Sequence, residues 1–521
     1  MSRDRFDLAL TRRRFLELVA ASAAFTAAGC DLGSRPLPAY PFTLGVASGD
    51  PLADRVVLWT RLAPDPLAAG GAGGMTPEPY TVFWEVAHDE AFRSLARAGS
   101  AVADASLAHS VHVDVNGLEP DRWYFYRFHA GGHVSPIGRT RTMPARDAAP
   151  ALLRFASASC QNYKEGFYTA YAAMVQEDLD LVTFLGDYIY ESGGSGPVRA
   201  HDGPRIQDLA GYRNRYALYK GDANLAAMHA RCPWIVTWDD HEVANNYAGL
   251  LADENGPDNA QPPEFFPQLR AAGYQAWYEH QPVRLLPPKG GSFRIYRDLA
   301  FGDLAKLFVL DTRQYRTDQE CGDALVPVCE GFPTEGGDML GPAQESWLLN
   351  GIGASSSVWN VLAQQVVFSP TPIGPLRNFD QWDGYPLARQ RIVDFLRARE
   401  PRNTVVLTGD IHAAGVGWVP GLTPGNPNTF SDPVASEFVA TGISSDGVDE
   451  ATANLITTLF QSYPHVQYFE AVTRGYTRHE VTRSEWRADI RFVETTLEET
   501  SPVFTAVSYV VENGNPVPQE A

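Results

Sequence analysis

The feature that most constrains this chain is a junction repeated through its second half: short, densely apolar runs that stop abruptly at side chains able to bind a cation. "LLRFASASC" ends at Cys160, and "LDLVTFLGDYIY" runs through Asp187 to Tyr190. "CPWIVTWDDHE" carries Asp239, Asp240 and His241, and "NTVVLTGDIHAAG" carries Asp410 and His412. Runs this rich in Val, Leu, Ile and Phe, without polar alternation, predict strands covered on both faces. "AKLFVLDTRQY" and "VWNVLAQQVVF" are further runs of that kind, while "EGFYTAYAAMVQED" and "PLARQRIVDFLRAREP" repeat apolar residues at helical spacing. Strands alternating with helices predict an α/β layered domain, in which a ligand binds beyond the carboxyl ends of the strands. A single Gly-Asp after a strand usually caps a turn. Four successive runs ending in ligand-type residues point instead to one shared site.

The first part of the chain has a different rhythm. Over residues 41–147, "RVVLWTRL", "YTVFWEVA", "HSVHVDVNGL" and "WYFYRFHA" alternate apolar and polar residues between turn clusters. This pattern predicts an all-β sandwich of immunoglobulin or fibronectin-III type, acting as a packing or cover domain. After the linker "TMPARDAAPA" the layered domain is expected over 151–495, with 496–521 as a C-terminal tail. "RHEVT" and "WRADIRFV" read as paired structural strands, and the polar stretch at 250–270 as a long surface insertion near the site.

At the N-terminus, "TRRRFLELVAASAAFTAAGC" places Arg12 and Arg13 before Phe15 and Leu16, then an Ala-rich stretch too short to span a bilayer comfortably. Residues 1–35 therefore resemble a twin-arginine export signal. That implies the twin-arginine translocation machinery as a partner, a periplasmic or secreted location, and a mature protein with no transmembrane span. Cys30 offers a lipid-attachment site, whereas cleavage near Ala28 would release the protein; both readings stand. In such an oxidising compartment, Cys321 and Cys329 in a polar loop suggest a local disulfide, with a pairing to Cys232 left open. The formal charge of -20, from 62 acidic and 42 basic residues, argues against a nucleic-acid-binding surface or an anionic membrane as partner. A monomer is expected.

Hydrolysis at a two-metal site needs a carboxylate that can bridge both ions, other donors to complete each shell, and room for water and substrate. "GDYIY", "WDDHEVANN" and "GDIHAAG", in this order and with Cys160 upstream, resemble the calcineurin-like metallophosphoesterase superfamily. More narrowly they resemble PhoD-type alkaline phosphatases and phosphodiesterases, and the resemblance covers nearly the whole chain. It implies a hydrolase of phosphate esters that uses a metal-bound hydroxide to attack phosphorus, and it implies roles for individual residues. Asp187 would bridge, Cys160, Tyr190 and His412 would hold a ferric ion, and Asp240 and Asp410 would hold one or two calcium ions. Two transition metals such as zinc or manganese are the alternative. "DDHE" stands where the wider superfamily has "GNHE", and Asp410 replaces the first His of "GHxH". Both exchanges put carboxylates in place of neutral donors, which favours a hard cation such as calcium.

Within the resemblance, His241 would contact phosphate or protonate the leaving oxygen. Asn245 and Asn246 would bind a non-bridging oxygen or give calcium a carbonyl. Arg313 could clamp a substrate phosphate or pair with an acid; it is counted here with the substrate-binding candidates. Gln364 and Gln365, being amides, are left out of the metal set. Trp382, Asp383 and Tyr385 suit either a pocket rim or ordinary loop packing. A phospholipase D-like headgroup hydrolase and a non-catalytic exported binder of metal or polyanion are the competing functions.

Overall fold

The computed structural model describes residues 35–252, 263–323, 325–399, 403–421 and 430–521. The expected export signal up to residue 34, Cys30 and the centre of the expected 250–270 insertion lie outside the described residues.

The apolar runs form parallel strands in two sheets. Leu153–Ala158, Leu181–Phe184 and Trp234–Val236 are neighbours in a ten-stranded sheet. Ala305–Val309, Trp359–Ala363, Thr404–Thr408 and Pro433–Val439 run side by side in a seven-stranded sheet. The sheets face each other across a core where Phe155, Leu181, Leu185 and Ile235 meet Leu307, Val361, Val405 and Phe438. Helices Leu209–Lys220, Ala223–Arg231 and Phe266–His280 cover the outer face of the first sheet. Helices Gly341–Gly353 and Pro386–Arg397 cover that of the second. The order helix, sheet, sheet, helix explains why these strands lack alternation: neither face meets water.

The N-terminal strands do form two packed layers. Leu95–Ala103, Tyr80–Ala87 and Trp123–Ala130 build one, with two short strands beside the last. Val46–Gly49, Arg55–Arg61 and Ser110–Asn116 build the other, and Val82, Tyr126 and Phe128 meet Val56, Leu58 and Val113 between them. The second layer does not end at the expected boundary: Val46–Gly49 pairs in parallel with Trp234–Val236, so the ten-stranded sheet runs through both parts of the chain. The tail expected at 496–521 also needs correction. Val503–Glu512 pairs along its whole length with Glu485–Val493, and Gln519–Glu520 forms the edge beyond it. Cys321 and Cys329 are disulfide-bonded, and Cys232 is a buried free thiol. Among the described residues, no helix is long and apolar enough to cross a membrane.

Candidate active site

The carboxyl ends of the parallel strands from both sheets meet at one place, and the chain turns there through a costly conformation. Cys160, Asp187, Asp410 and His412 have φ of 55°, 58°, 67° and 54°, the left-handed region that L-residues rarely occupy. Such positions cost about 1–3 kcal/mol each and persist only where the surroundings fix them. For Asp187 the restraint is Glu242, whose buried carboxylate accepts from the amides of Asp187 (3.1 Å), Tyr188 (2.7 Å) and Asp239 (2.8 Å). One side chain thus ties the loop after Leu181–Phe184 to the loop after Trp234–Val236. Gly186 lets them approach, since a Cβ there would run into the Asp239 side chain.

Three overlapping groups of ligand-type residues result: Cys160, Asp187 and His412; Asp187, Asp240 and His241; Asp239, Asp240 and Asp410. Within each, one ligand atom per residue lies within 4.8 Å of the others. The Tyr190 hydroxyl joins the first group, 2.9 Å from Asp187 Oδ2, 2.9 Å from His412 Nε2 and 2.8 Å from Ser445 Oγ. His412 Nδ1 is 2.5 Å from the Asp446 carbonyl, which fixes the proton on Nδ1 and leaves a lone pair on Nε2. The single Tyr190 proton faces both that lone pair and Asp187. Asp187 Oδ1 and Asp239 Oδ2 are buried with no hydrogen-bond partner.

Lone pairs therefore outnumber protons in a buried site. Burial, with neighbouring carboxylates, pushes Asp187, Cys160 and Tyr190 well above their ordinary pKa values. Burial also raises Asp410 to about 6, against the pull of Arg313. Asp240 goes the other way, because the charges of Arg313 and His241 overcome its burial. Burial, helped by Arg474, lowers His412 to about 4, so the ring is neutral and able to ligate. Thiol, phenol, imidazole and carboxylates crowded in this manner suit a cation, which would relieve the desolvation that now opposes their ionisation. The donor set fits a pair of metal ions.

His241 lies beside the group, its ring 4.2 Å from that of Tyr190. Its Nδ1 is 2.7 Å from Glu191 Oε2, and Glu191 also accepts from Arg205 (2.8 Å) and from the Asn245 amide (3.0 Å). Burial works against a charged imidazole, yet Glu191, Asp240 and Asp187 together hold its pKa well above the ordinary value. Both asparagines donate their main-chain amides to carboxylates of the site. Asn246 donates its amide to Asp240 Oδ2 at 2.6 Å, its side chain to the Asp323 carbonyl at 2.7 Å, and its own carbonyl accepts from Gln319.

Arg313 requires a correction. It is 0% exposed, and its guanidinium binds Asp239, Asp380 (2.6 Å) and Asp410 (3.2 Å), with Asp240 at 3.7 Å. A cation enclosed by four carboxylates is not available to a substrate; it compensates the charge of the acidic cluster instead. Glu191, Glu242, Asp380 and Gln381, which sequence reasoning missed, hold the others in place; Gln381 donates to Asp410 Oδ2 at 2.6 Å. Gln364 and Gln365 are bonded within the core. Trp382, Asp383 and Tyr385 prove to be packing residues: Asp383 pairs with Arg389, and Tyr385 donates to the Thr317 carbonyl.

Comparison with known proteins gives the family. A family profile described as PhoD-like phosphatase matches residues 155–490, and its N-terminal-domain companion matches 26–144. The chain belongs to the PhoD-like phosphatase family. It is 46% identical over 484 residues to alkaline phosphatase D of Bacillus subtilis (strain 168), covering 91% of this chain and 81% of that protein. The solved structure described as "Structure of PhoD" matches with a TM-score of 0.87 at 44% identity, over 94% of this chain and 93% of that one. As a PhoD-like phosphatase the chain is an enzyme, a phosphoric ester hydrolase, and its sheets and all-β N-terminal part follow the PhoD fold.

Proposed function

We propose that this PhoD-like phosphatase is an exported, metal-dependent phosphodiesterase and phosphatase with one ferric ion and one or two calcium ions. The observation that carries the reading is the convergence of Cys160, Asp187, Tyr190, Asp240, Asp410 and His412 with more lone pairs than protons. Cys160, Tyr190 and His412 suit the ferric ion, and the hard oxygens of Asp240 and Asp410 suit calcium, with Asp187 between. Bound there, the ions would supply Lewis acidity, lowering the pKa of water and neutralising phosphate charge. The chain's own residues do the rest. Glu191 fixes the proton on His241 Nδ1 and keeps the ring charged, so His241 can release a proton to the departing oxygen. Arg313 opposes the protonation that burial favours at the surrounding carboxylates. The N-terminal arginine pair supports export by the twin-arginine route to the periplasm or medium. We read the core as a metallophosphoesterase domain and the N-terminal layers as an immunoglobulin-like or fibronectin-III-like sandwich.

Elemental analysis of protein purified without added metal is expected to find iron and calcium, with a charge-transfer colour from tyrosinate or thiolate. Chelators should abolish release of p-nitrophenol from bis(p-nitrophenyl) phosphate, as should Asp187→Asn. A zinc-only protein with full activity would refute the metal assignment, and undiminished turnover by Asp187→Asn would refute the site.

A further inference from the structure

A cavity of about 230 Å³ lies beside the candidate metal centre on the side of the seven-stranded sheet. Its wall is apolar: Val416 and Val439 come from the sheet, Phe469 from the Val466–Glu470 strand, and Ile456 and Phe460 from helix Glu450–Phe460. Ile411, which sits in the chain between Asp410 and His412, also lines it. Glu437 and Gln381 in this wall are engaged elsewhere, whereas Ser369 Oγ and His465 Nδ1 are buried polar atoms of the lining without a hydrogen-bond partner. The Glu437 carboxylate accepts from the amides of Phe368 and Ser369 and from the Thr408 hydroxyl, and Gln381 is held on Asp410.

Two exposed apolar residues of the lining, Val448 (42%) and Leu325 (43%), stand next to the metal-binding loops. Val448 is two residues beyond Asp446, whose carbonyl takes the His412 Nδ1 proton. Leu325 is two residues beyond Asp323, whose carbonyl holds Asn246 beside Asp240. The cavity thus adjoins the candidate centre through Ile411 and through Gln381, which is bonded to Asp410, and it offers hydrocarbon where that centre offers charge.

We propose that this cavity is the subsite for an apolar ester arm of the substrate, an unbranched alkyl chain on a phosphodiester. The inference rests on the phosphodiesterase reading above and names the substrate class for that site. An apolar cavity of about 150 Å³ holds benzene, so this one takes an arm of roughly six to eight carbons. In the reaction a water oxygen bonds to phosphorus, the bond from phosphorus to the leaving oxygen breaks, and the alkyl arm stays on the phosphate product.

The test uses the metal-loaded full-length enzyme and a series of alkyl p-nitrophenyl phosphates, methyl to octyl, below the concentrations at which they aggregate. A fully buried methylene is worth up to about fourfold in affinity, so kcat/KM is expected to rise at least tenfold from methyl to hexyl, chiefly through KM. Ile456→Trp, which fills the cavity from a surface helix, should erase the rise and leave the methyl ester unaffected. Calorimetry with hexylphosphonate and methylphosphonate measures the same preference without turnover. A flat series on an active enzyme overturns the inference, as does equal affinity for the two phosphonates or an undiminished rise in folded Ile456→Trp. No hydrolysis of any ester, with hexylphosphonate still preferred, would refute the phosphodiesterase reading and leave the apolar subsite standing.

Discussion

Arg313 offers the sharpest test of how the centre is held together. In Arg313→Met the aliphatic volume is kept and the charge removed, leaving Asp239, Asp240, Asp380 and Asp410 without their shared cation. Because the guanidinium is 0% exposed, no solvent screening softens the loss. Breaking a buried ion pair by removing one partner costs about 3–5 kcal/mol. At about 2 cal/mol/K per residue, a chain of this length loses roughly 1 °C of Tm per kcal/mol, so a fall of about 3–5 °C is expected. The sign with pH follows from the carboxylates. Burial already raises Asp239 and Asp410 above their unfolded values, with Arg313 pulling the other way, so both climb further in the variant. A carboxylate raised in the folded state loses stability as pH rises through the interval between unfolded and folded pKa. Asp240, which Arg313 holds low, contributes a loss already present at pH 5, so the Tm deficit should be appreciable near pH 5 and larger near pH 8, as read by calorimetry on chelator-treated protein. Excess calcium should restore part of it. An equal deficit at both pH values, or an unchanged Tm with a raised KM, would refute the assignment and return Arg313 to the substrate.

Three other perturbations probe separate parts of the structure. Lys220 is buried over the Trp59 ring at 4.2 Å, and burial lowers its pKa from 10.5 to about 7. Between those values the unfolded chain binds the extra proton and stability rises with pH, so Lys220→Met should raise unfolding free energy most below pH 7, by at most about 5 kcal/mol, and not at all near pH 10.5, as read by denaturant titration. Glu191→Gln removes the first charge that keeps His241 protonated; the pH–rate profile should lose its alkaline side and kcat fall about 100-fold, and an unmoved profile would exclude His241 as the acid. Glu242→Gln leaves one acceptor oxygen for three amides, at a cost of about 1–3 kcal/mol, and chelator competition should show weaker metal retention.

What could be read from the sequence was local. Cys160, Asp187, Tyr190, Asp240, Asp410 and His412 each close or follow an apolar run, and burial on both faces of a strand leaves only its end for a polar group. Arg313 was misplaced because an arginine after a strand looks the same whether it meets phosphate or four buried carboxylates; only the fold shows which. Asp380 and Gln381 reach Arg313 and Asp410 from a loop with no periodic pattern, and Glu242 acts through main-chain amides brought together by tertiary structure. The segment "VFTAVSYVVE" has no clean apolar–polar alternation, so its pairing with Glu485–Val493 was not legible at the end of the chain.

The parallel pairing of Val46–Gly49 with Trp234–Val236 has a consequence for how such an enzyme can be taken apart. The seam is so tight that a methyl group on Gly49 would stand 2.6 Å from the Trp234 carbonyl. The front piece is therefore no detachable cassette: a cut near residue 150 would strip hydrogen-bonding partners from both fragments and leave each with a raw, sticky border. Grafting either half onto a foreign neighbour would require rebuilding the shared ladder as well as choosing a linker.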